Sequence, residues 1–208
     1  INEFGTSCSV DVRHGQKTGF YLDQRENREL IRSLSPGKKL LNLFSYTGGF
    51  SLAAMAGGAV ETISVDSSSE ALERARANAA LNGYSTPSIY HKADVFSYLR
   101  EKPVESDMIV IDPPALAKHR GAVPDAARGY KELNLRVAVK CPHGSLLLSC
   151  SCSRFIDMDL FQKIVFSAMA DAGRQATIIK KTHHPVDHPV SIYCPETEYL
   201  KALLLRLD

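Results

Sequence analysis

The chain has 208 residues, 44% hydrophobic and 23% charged, with 13 Gly and 10 Pro, the balance of an ordinary globular chain that buries enough surface to need neither disulfides nor a structural metal. Disorder, collagen-like repeats and a disulfide scaffold are excluded. Lys and Arg number 25 against 23 Asp and Glu, a formal charge of +2, so any nucleic-acid surface has to come from local clustering rather than overall basicity.

Residues 1–36 stand apart from the rest. CSVDVRHGQKTGFYLD reads as a hairpin, with Val10 and Val12 alternating on one arm, Phe20 and Leu22 on the other and HGQKTG between them; QRENRELIRSL follows as a short polar helix. From residue 37 onward apolar runs alternate with helical patterns, which predicts repeated βα units in one domain over 37–208. LLNLF is the first strand, and a small-residue turn, SYTGG, leads into a helix from Phe50. ETISVD, SIYHKAD and DMIVIDPP are strands two to four, separated by SSSEALERARANAALNG, with one apolar face on Ala71, Leu72, Ala75 and Ala79, and by VFSYLREK. Ala115 to Gly129 reads as irregular and basic, and YKELNLRVAVK as helical. GSLLLSCS is strand five and DMDLFQKIVFSAMADAG an amphipathic helix; ATIIKK and EYLKALLLRL end the chain as strands, the last one antiparallel. The predicted fold is α/β, a Rossmann-like, doubly wound, seven-stranded and mostly parallel sheet with helices on both faces, preceded by the small hairpin.

The five cysteines, Cys8, Cys141, Cys150, Cys152 and Cys194, are odd in number and lack zinc-site spacing, which predicts a reducing, cytoplasmic setting. His183, His184 and His188 lie in a Pro-rich loop without ligand spacing, so no metal is expected. No run of about 18 apolar residues could cross a membrane, and residues 1–15 lack the charged start and apolar stretch of a signal peptide. Ile1 is not a natural start, which points to a longer parent.

Ligands of open parallel sheets bind outside the carboxyl ends of the strands, and there the chain places small or acidic residues four times. Gly48 and Gly49 follow strand one, Asp66 ends strand two eighteen residues after Gly48, Asp94 ends strand three and Asp112 strand four. One Gly-Gly turn is often just a tight connection, and one Asp after a strand often caps the next helix. Their recurrence at adjacent strand ends favours a nucleoside ligand. A full GxGxxG is missing, which disfavours a pyrophosphate cofactor; S-adenosylmethionine, with a ribose that needs a carboxylate and a cationic end that needs a polar pocket, fits.

The strings GQKTGFYLDQRENR (Gly15 to Arg28), LNLFSYTGGFSL (Leu41 to Leu52), VDSSSEALERARANAALNG (Val65 to Gly83), DPPALAK (Asp112 to Lys118), GYKELN (Gly129 to Asn134) and Ser151-Cys152-Ser153 resemble the class I methyltransferases that make 5-methylcytosine in large-subunit ribosomal RNA. That resemblance implies S-adenosylmethionine as cofactor, held by Phe44, Tyr46, Thr47, Gly48, Gly49, Phe50, Asp66, Ser67, Asp94, Asp112 and Pro113. It implies ribosomal RNA as partner, with Gln16, Lys17, Tyr21, Arg25, Pro114, Lys118, Arg128 and Tyr130 toward the substrate; Asp23 and Arg28 belong to the same string. The family carries an upstream RNA-binding PUA domain that these residues do not contain, so it lies upstream or the chain is a stand-alone catalytic relative; a homodimer is left open.

Carbon 5 of cytosine is too weak a nucleophile to take a methyl group directly, so such enzymes first add a thiolate to carbon 6. The family's Ser-Cys-Ser followed by Asp-Leu-Phe aligns with Ser151 to Ser153 and Asp159 to Phe161, which makes Cys152 the nucleophile and Cys150 a buried strand residue; the plain alternative is that both are small core residues. Asp112, the second catalytic candidate, would orient the base or receive a proton. Ala115 stands where amino-directed methyltransferases carry an aromatic residue after the two prolines, and no cysteine follows the proline as in another RNA cytosine branch. Lys118 would touch phosphate or lower the thiol pKa. From Pro113 to Lys140 six cations (Lys118, Arg120, Arg128, Lys131, Arg136, Lys140) face Asp125 and Glu132, a local net of +4, with Tyr130 available to stack. The leading expectation is therefore RNA cytosine carbon-5 methylation. A methyltransferase of another RNA atom, such as a guanine ring nitrogen, and a non-catalytic RNA- or partner-binding module are the alternatives.

Overall fold

The computed structural model describes residues 1–15, 17, 19–194 and 197–208. They form two compact units, Ile1–Val95 and Phe96–Asp208. Seven strands belong to one mostly parallel sheet, three from the first unit and four from the second.

The first unit runs β1 (Asn2–Glu3), β2 (Thr6–Ser7), α1 (Arg25–Leu34), β3 (Lys39–Leu43), α2 (Gly49–Ala56), β4 (Glu61–Asp66), α3 (Ser69–Leu81) and β5 (Ser88–Lys92). β3 pairs in parallel with β4, and β4 with β5, and β3 buries four consecutive residues, as a parallel strand covered on both faces should. One of these is Asn42, whose amide donates to Ser51 Oγ at 2.9 Å while Ser51 meets Ser64 Oγ at 2.8 Å, a buried polar chain that ties α2 to two strands.

The antiparallel hairpin sits earlier than its sequence pattern suggests, pairing Asn2 with Ser7, and none of the described residues between 10 and 22 belongs to a strand. Asp11 is the cause. Its carboxylate accepts the Arg13 and His14 amides at 3.0 and 2.9 Å, which curls the chain into a side-chain-closed turn and holds the carboxyl below its usual range. Gly19, at φ +88°, passes so close that a Cβ there would stand 2.5 Å from the Asp11 carbonyl oxygen. Val10 and Phe20 still bury apolar surface, packed with Cys8, Leu52, Met55 and Ala79. Asn78 of α3 and Asn82, its C-cap, fasten the segment by accepting the Ser9 and Ser7 amides, both at 2.8 Å.

The second unit holds α4 (Val95–Glu101, its first residue closing the first unit), β6 (Met108–Ile111), α5 (Val123–Lys140), β7 (Ser145–Ser151), α6 (Met158–Asp171), β8 (Ala176–Thr182) and β9 (Lys201–Leu207). Their order is β6-β7-β9-β8, with β6 and β7 parallel and β9 antiparallel to both its neighbours. All of β6 is buried. α5 begins at Val123, inside the stretch expected to be irregular, because Pro124 falls in its first turn, where a missing N–H does no harm. Among the described residues no helix is long and apolar enough to cross a membrane.

Candidate active site

In the first unit the loop after β3 has an unusual backbone. Phe44, Tyr46 and Gly48 have φ of 58°, 47° and 81°, a left-handed conformation that non-glycine residues adopt at some energetic cost and that gathers at functional sites. Gly48 is the N-cap of α2, and a Cβ on it would approach Ala75 Cβ to 2.8 Å. The side chain of Asp66, at the end of β4, locks this shape: one carboxylate oxygen accepts the Tyr46 amide at 2.8 Å and the other the Ser68 amide at 2.9 Å. Helix α3 is capped by Ser68, whose Oγ accepts the Ala71 amide, so Asp66 is not its cap. Each oxygen of Asp66 keeps lone pairs for the hydroxyls of a ribose, and Ser45 Oγ is buried in the same loop with no hydrogen-bond partner. A carboxylate with lone pairs to spare, an unengaged buried hydroxyl and a left-handed backbone held by Asp66 make this loop fit S-adenosylmethionine.

Beside it Tyr21 meets Tyr46 edge to face, with centroids 5.5 Å apart. Lys17 pairs with the buried Asp23 at 2.8 Å and lies over the Tyr21 ring. Arg28 has turned inward: two of its nitrogens bind both oxygens of Glu3 at 2.6 Å, a third donates to the Tyr21 carbonyl at 2.8 Å, and the guanidinium covers Phe20. It holds the hairpin to α1 and does not face a substrate. Arg25 is half-buried at the start of α1 and Asp94 is exposed after β5, while Gln16 lies outside the described residues.

In the second unit Cys152 follows β7, which ends at Ser151, and is half-buried, whereas Cys150 within the strand is fully buried. Cys152 Sγ points at the Pro113 carbonyl oxygen, 3.7 Å away, so the thiol borders the Asp112-Pro113-Pro114 turn that follows β6. Asp112 is half-buried, Pro113 buried and Pro114 exposed. The flanking Ser153 is fully buried and works as a hub: its Oγ accepts the Ala117 amide at 3.1 Å and meets the Tyr130 hydroxyl at 2.9 Å. Its carbonyl accepts Lys201 Nζ at 2.7 Å.

Tyr130 does not stack on a ligand. Its ring is fully buried edge to face against Phe161, with centroids 5.5 Å apart, and burial pushes the phenol up to about 12, with hydrogen bonds to Ser151 and Ser153 opposing. The basic stretch is likewise smaller than its charge count. Arg128 pairs with Asp125, Lys131 with Asp171 and Arg136 with Glu132, and Lys140 donates to the Leu99 and Arg100 carbonyls at the end of α4 and to that of Lys102 just beyond it, as a cation at a helix C-terminus should. Lys118 and Arg120 stay exposed with no ion pair among the described residues.

Sequence reading missed Lys201. This first residue of β9 faces Ser151 in the ladder and is 2% exposed, with Nζ donating to the Ser153 and Tyr199 carbonyls, both at 2.7 Å. Burial pulls its ammonium down to about 8, against the opposing pull of Cys152, Asp157 and Glu198. The available signal was a lysine inside the apolar run of a central strand.

Two curated relatives, each named ribosomal RNA large subunit methyltransferase I, match nearly the whole chain. The protein of Aeromonas salmonicida is 46% identical over 99% of the chain and that of Escherichia coli O139:H28 41% over all of it, and the chain covers 53% of either relative. It thus spans about half the length of these relatives. A solved structure from Streptococcus mutans, assigned to the S-adenosylmethionine-dependent methyltransferases, superposes with a TM-score of 0.86 at 29% identity, over 99% of this chain and 54% of that one. A methyltransferase-assigned structure complexed with SAH gives 0.85, also at 29%, over 98% and 54%. The fold is the Rossmann-like class I methyltransferase fold. The family model described as S-adenosylmethionine-dependent methyltransferase matches residues 1–206, and the chain belongs to that family.

Proposed function

We propose that this chain is the catalytic part of an enzyme that methylates carbon 5 of a cytosine in large-subunit ribosomal RNA, with Cys152 as nucleophile. The observation that carries the reading is the half-exposed thiol at the end of β7, bordering the Asp112-Pro113-Pro114 turn, while the neighbouring Cys150 is sealed in the sheet. The curated relatives' name supports a large-subunit RNA substrate.

S-adenosylmethionine, when bound, supplies the electrophilic methyl group. Asp66 would accept the ribose hydroxyls and the Phe44 to Gly48 loop would offer its backbone to the nucleoside, with Thr47, Gly49, Phe50, Ser67 and Asp94 as further contacts of the same unit. The Cys152 thiolate adds to carbon 6 of the cytosine, which turns carbon 5 into an enamine-type nucleophile. Once carbon 5 carries the methyl group its hydrogen leaves as a proton, the electron pair expels the Cys152 sulfur, and the aromatic base is restored. Asp112, beside the thiol, orients the base or receives that proton. Lys118 and Arg120 meet RNA phosphates, with Lys17, Tyr21 and Arg25 as further substrate contacts. A thiol that must stay reduced suits a reducing compartment.

Incubation with methyl-labelled S-adenosylmethionine and RNA containing 5-fluorocytosine tests this, because fluorine at carbon 5 cannot leave as a proton and the adduct is trapped. A covalent protein–RNA species is expected from the wild type and none from Cys152→Ala. An adduct that survives in Cys152→Ala overturns the nucleophile, and methyl label recovered on another base atom overturns the cytosine reading.

A further inference from the structure

Lys201 has no place in the chemistry above, yet a buried ammonium is among the costliest groups a fold can carry without a counter-charge. Among the described residues no carboxylate lies within salt-bridge distance of it, and its hydrogen bonds go to two backbone carbonyls, those of Ser153 and Tyr199. One of these belongs to the residue next to Cys152, and the ladder sets Lys201 opposite Ser151, the residue before Cys152. The charge is thus fixed from both sides of the thiol. Methionine or leucine would fill this strand position without desolvating a cation.

We propose that Lys201 is a positioning residue for Cys152: its buried ammonium fixes the Ser153 carbonyl at the end of β7 and favours the Cys152 thiolate, the thiol proton passing to water. This rests on Cys152 being the working thiol. The electrostatics follow from what surrounds the site. Opposite charge nearby favours a thiolate, and burial strengthens the effect because little water screens it. The other groups facing the ammonium leave it as the main cation there. Asp157 caps α6 with its side chain on the Leu160 amide, Glu198 pairs with His183 at 3.0 Å, and Tyr130 stays protonated through the neutral range. His184 stacks edge-on against Tyr199, and its Nε2 accepts the Leu200 amide at 3.1 Å, so that nitrogen carries no proton. The lowered ammonium pKa fits the same picture: at neutral pH Lys201 still carries its charge.

The test is the pH dependence of iodoacetamide alkylation at Cys152, read by peptide mass spectrometry on the whole folded chain, with partly exposed Cys194 in the same sample as the internal standard. Lys201→Met removes the charge; Lys201→Gln also removes it but keeps an amide donor for the two carbonyls, which covers the case in which Lys201→Met does not fold; Lys201→Arg keeps the charge. The neutral variants are expected to raise the Cys152 midpoint by about one pH unit and to slow alkylation at pH 7 about tenfold, with Cys194 unchanged, and Lys201→Arg to restore most of the rate. A merely structural lysine would leave the midpoint in place, so an unchanged midpoint in a folded neutral variant overturns the proposal. The two readings fail separately. A shifted midpoint with no 5-fluorocytosine adduct removes the cytosine reaction and keeps the thiolate device; an adduct with an unshifted midpoint does the reverse.

Discussion

The loop after β3 and the segment after β7 both end parallel strands, yet they are prepared by opposite means. In the first, the backbone does the work: three left-handed residues, a glycine against Ala75 and two main-chain amides held by one carboxylate. In the second, Ser151, Cys152 and Ser153 have no positive φ, and side chains arriving from α5 and β9 fix the chain instead. A loop proposed to take a ligand close to its main chain is shaped by its backbone; a segment proposed to present one reactive atom is shaped by the side chains around it.

The contrast breaks most visibly at Gly48. Gly48→Ala forces a Cβ to 2.8 Å from Ala75 Cβ at a φ of 81°, so left-handed strain of about 1–2 kcal/mol adds to overpacking of about 1–3 kcal/mol. Urea denaturation should show a lower midpoint worth about 2–5 kcal/mol in all. A loss below about 1 kcal/mol would mean that the loop shape is not fixed by this residue.

Asp66→Asn sharpens the comparison with a smaller effect. The amide that replaces one carboxylate oxygen faces a main-chain N–H, so either the Tyr46 or the Ser68 contact is lost, and the charged acceptor for the ribose goes with it. Calorimetric titration with S-adenosylhomocysteine should show binding weakened about 10–100-fold, or about 1–3 kcal/mol. Unaltered affinity would remove Asp66 from the cofactor site and leave it as a loop fastener.

This difference in construction also decides what the sequence could reveal. The places of Gly48, Asp66 and Cys152 at strand ends are legible because glycine, a strand-end carboxylate and a strand-end cysteine are local signals, and β3 to β9 follow from apolar runs of strand length. The Asp11 turn was hidden because Val10, Val12, Phe20 and Leu22 alternate as a hairpin would, and only the tertiary contact at Gly19 shows why they do not pair. Tyr130 was misread because a tyrosine among cations looks like a stacking platform; its helical register with Leu133, Asn134 and Val137 marked it as core. Net charge failed for a related reason: the partner of Lys131 is Asp171 on α6, forty residues further along the chain and outside the counted stretch. Lys201 depends on a ladder partner fifty residues away, which no local pattern reports.

The smallest effect, at Tyr130, separates core from surface most cleanly. Tyr130→Phe keeps the ring against Phe161 and deletes only the hydroxyl that meets Ser153 Oγ at 2.9 Å. Ser153 Oγ still accepts the Ala117 amide, so no main-chain donor is orphaned and the loss should be about 1 kcal/mol. RNA affinity should not change, because no part of the residue reaches solvent. Replacing exposed Lys118 or Arg120 by Ala should instead reduce the slope of log affinity against log salt by about one each, as loss of a phosphate contact does. If Tyr130→Phe weakened RNA binding as much as either cation variant while leaving the denaturation midpoint untouched, the phenol would have to be exposed when RNA binds, and the buried hub at Ser153 would be a resting arrangement that the substrate opens.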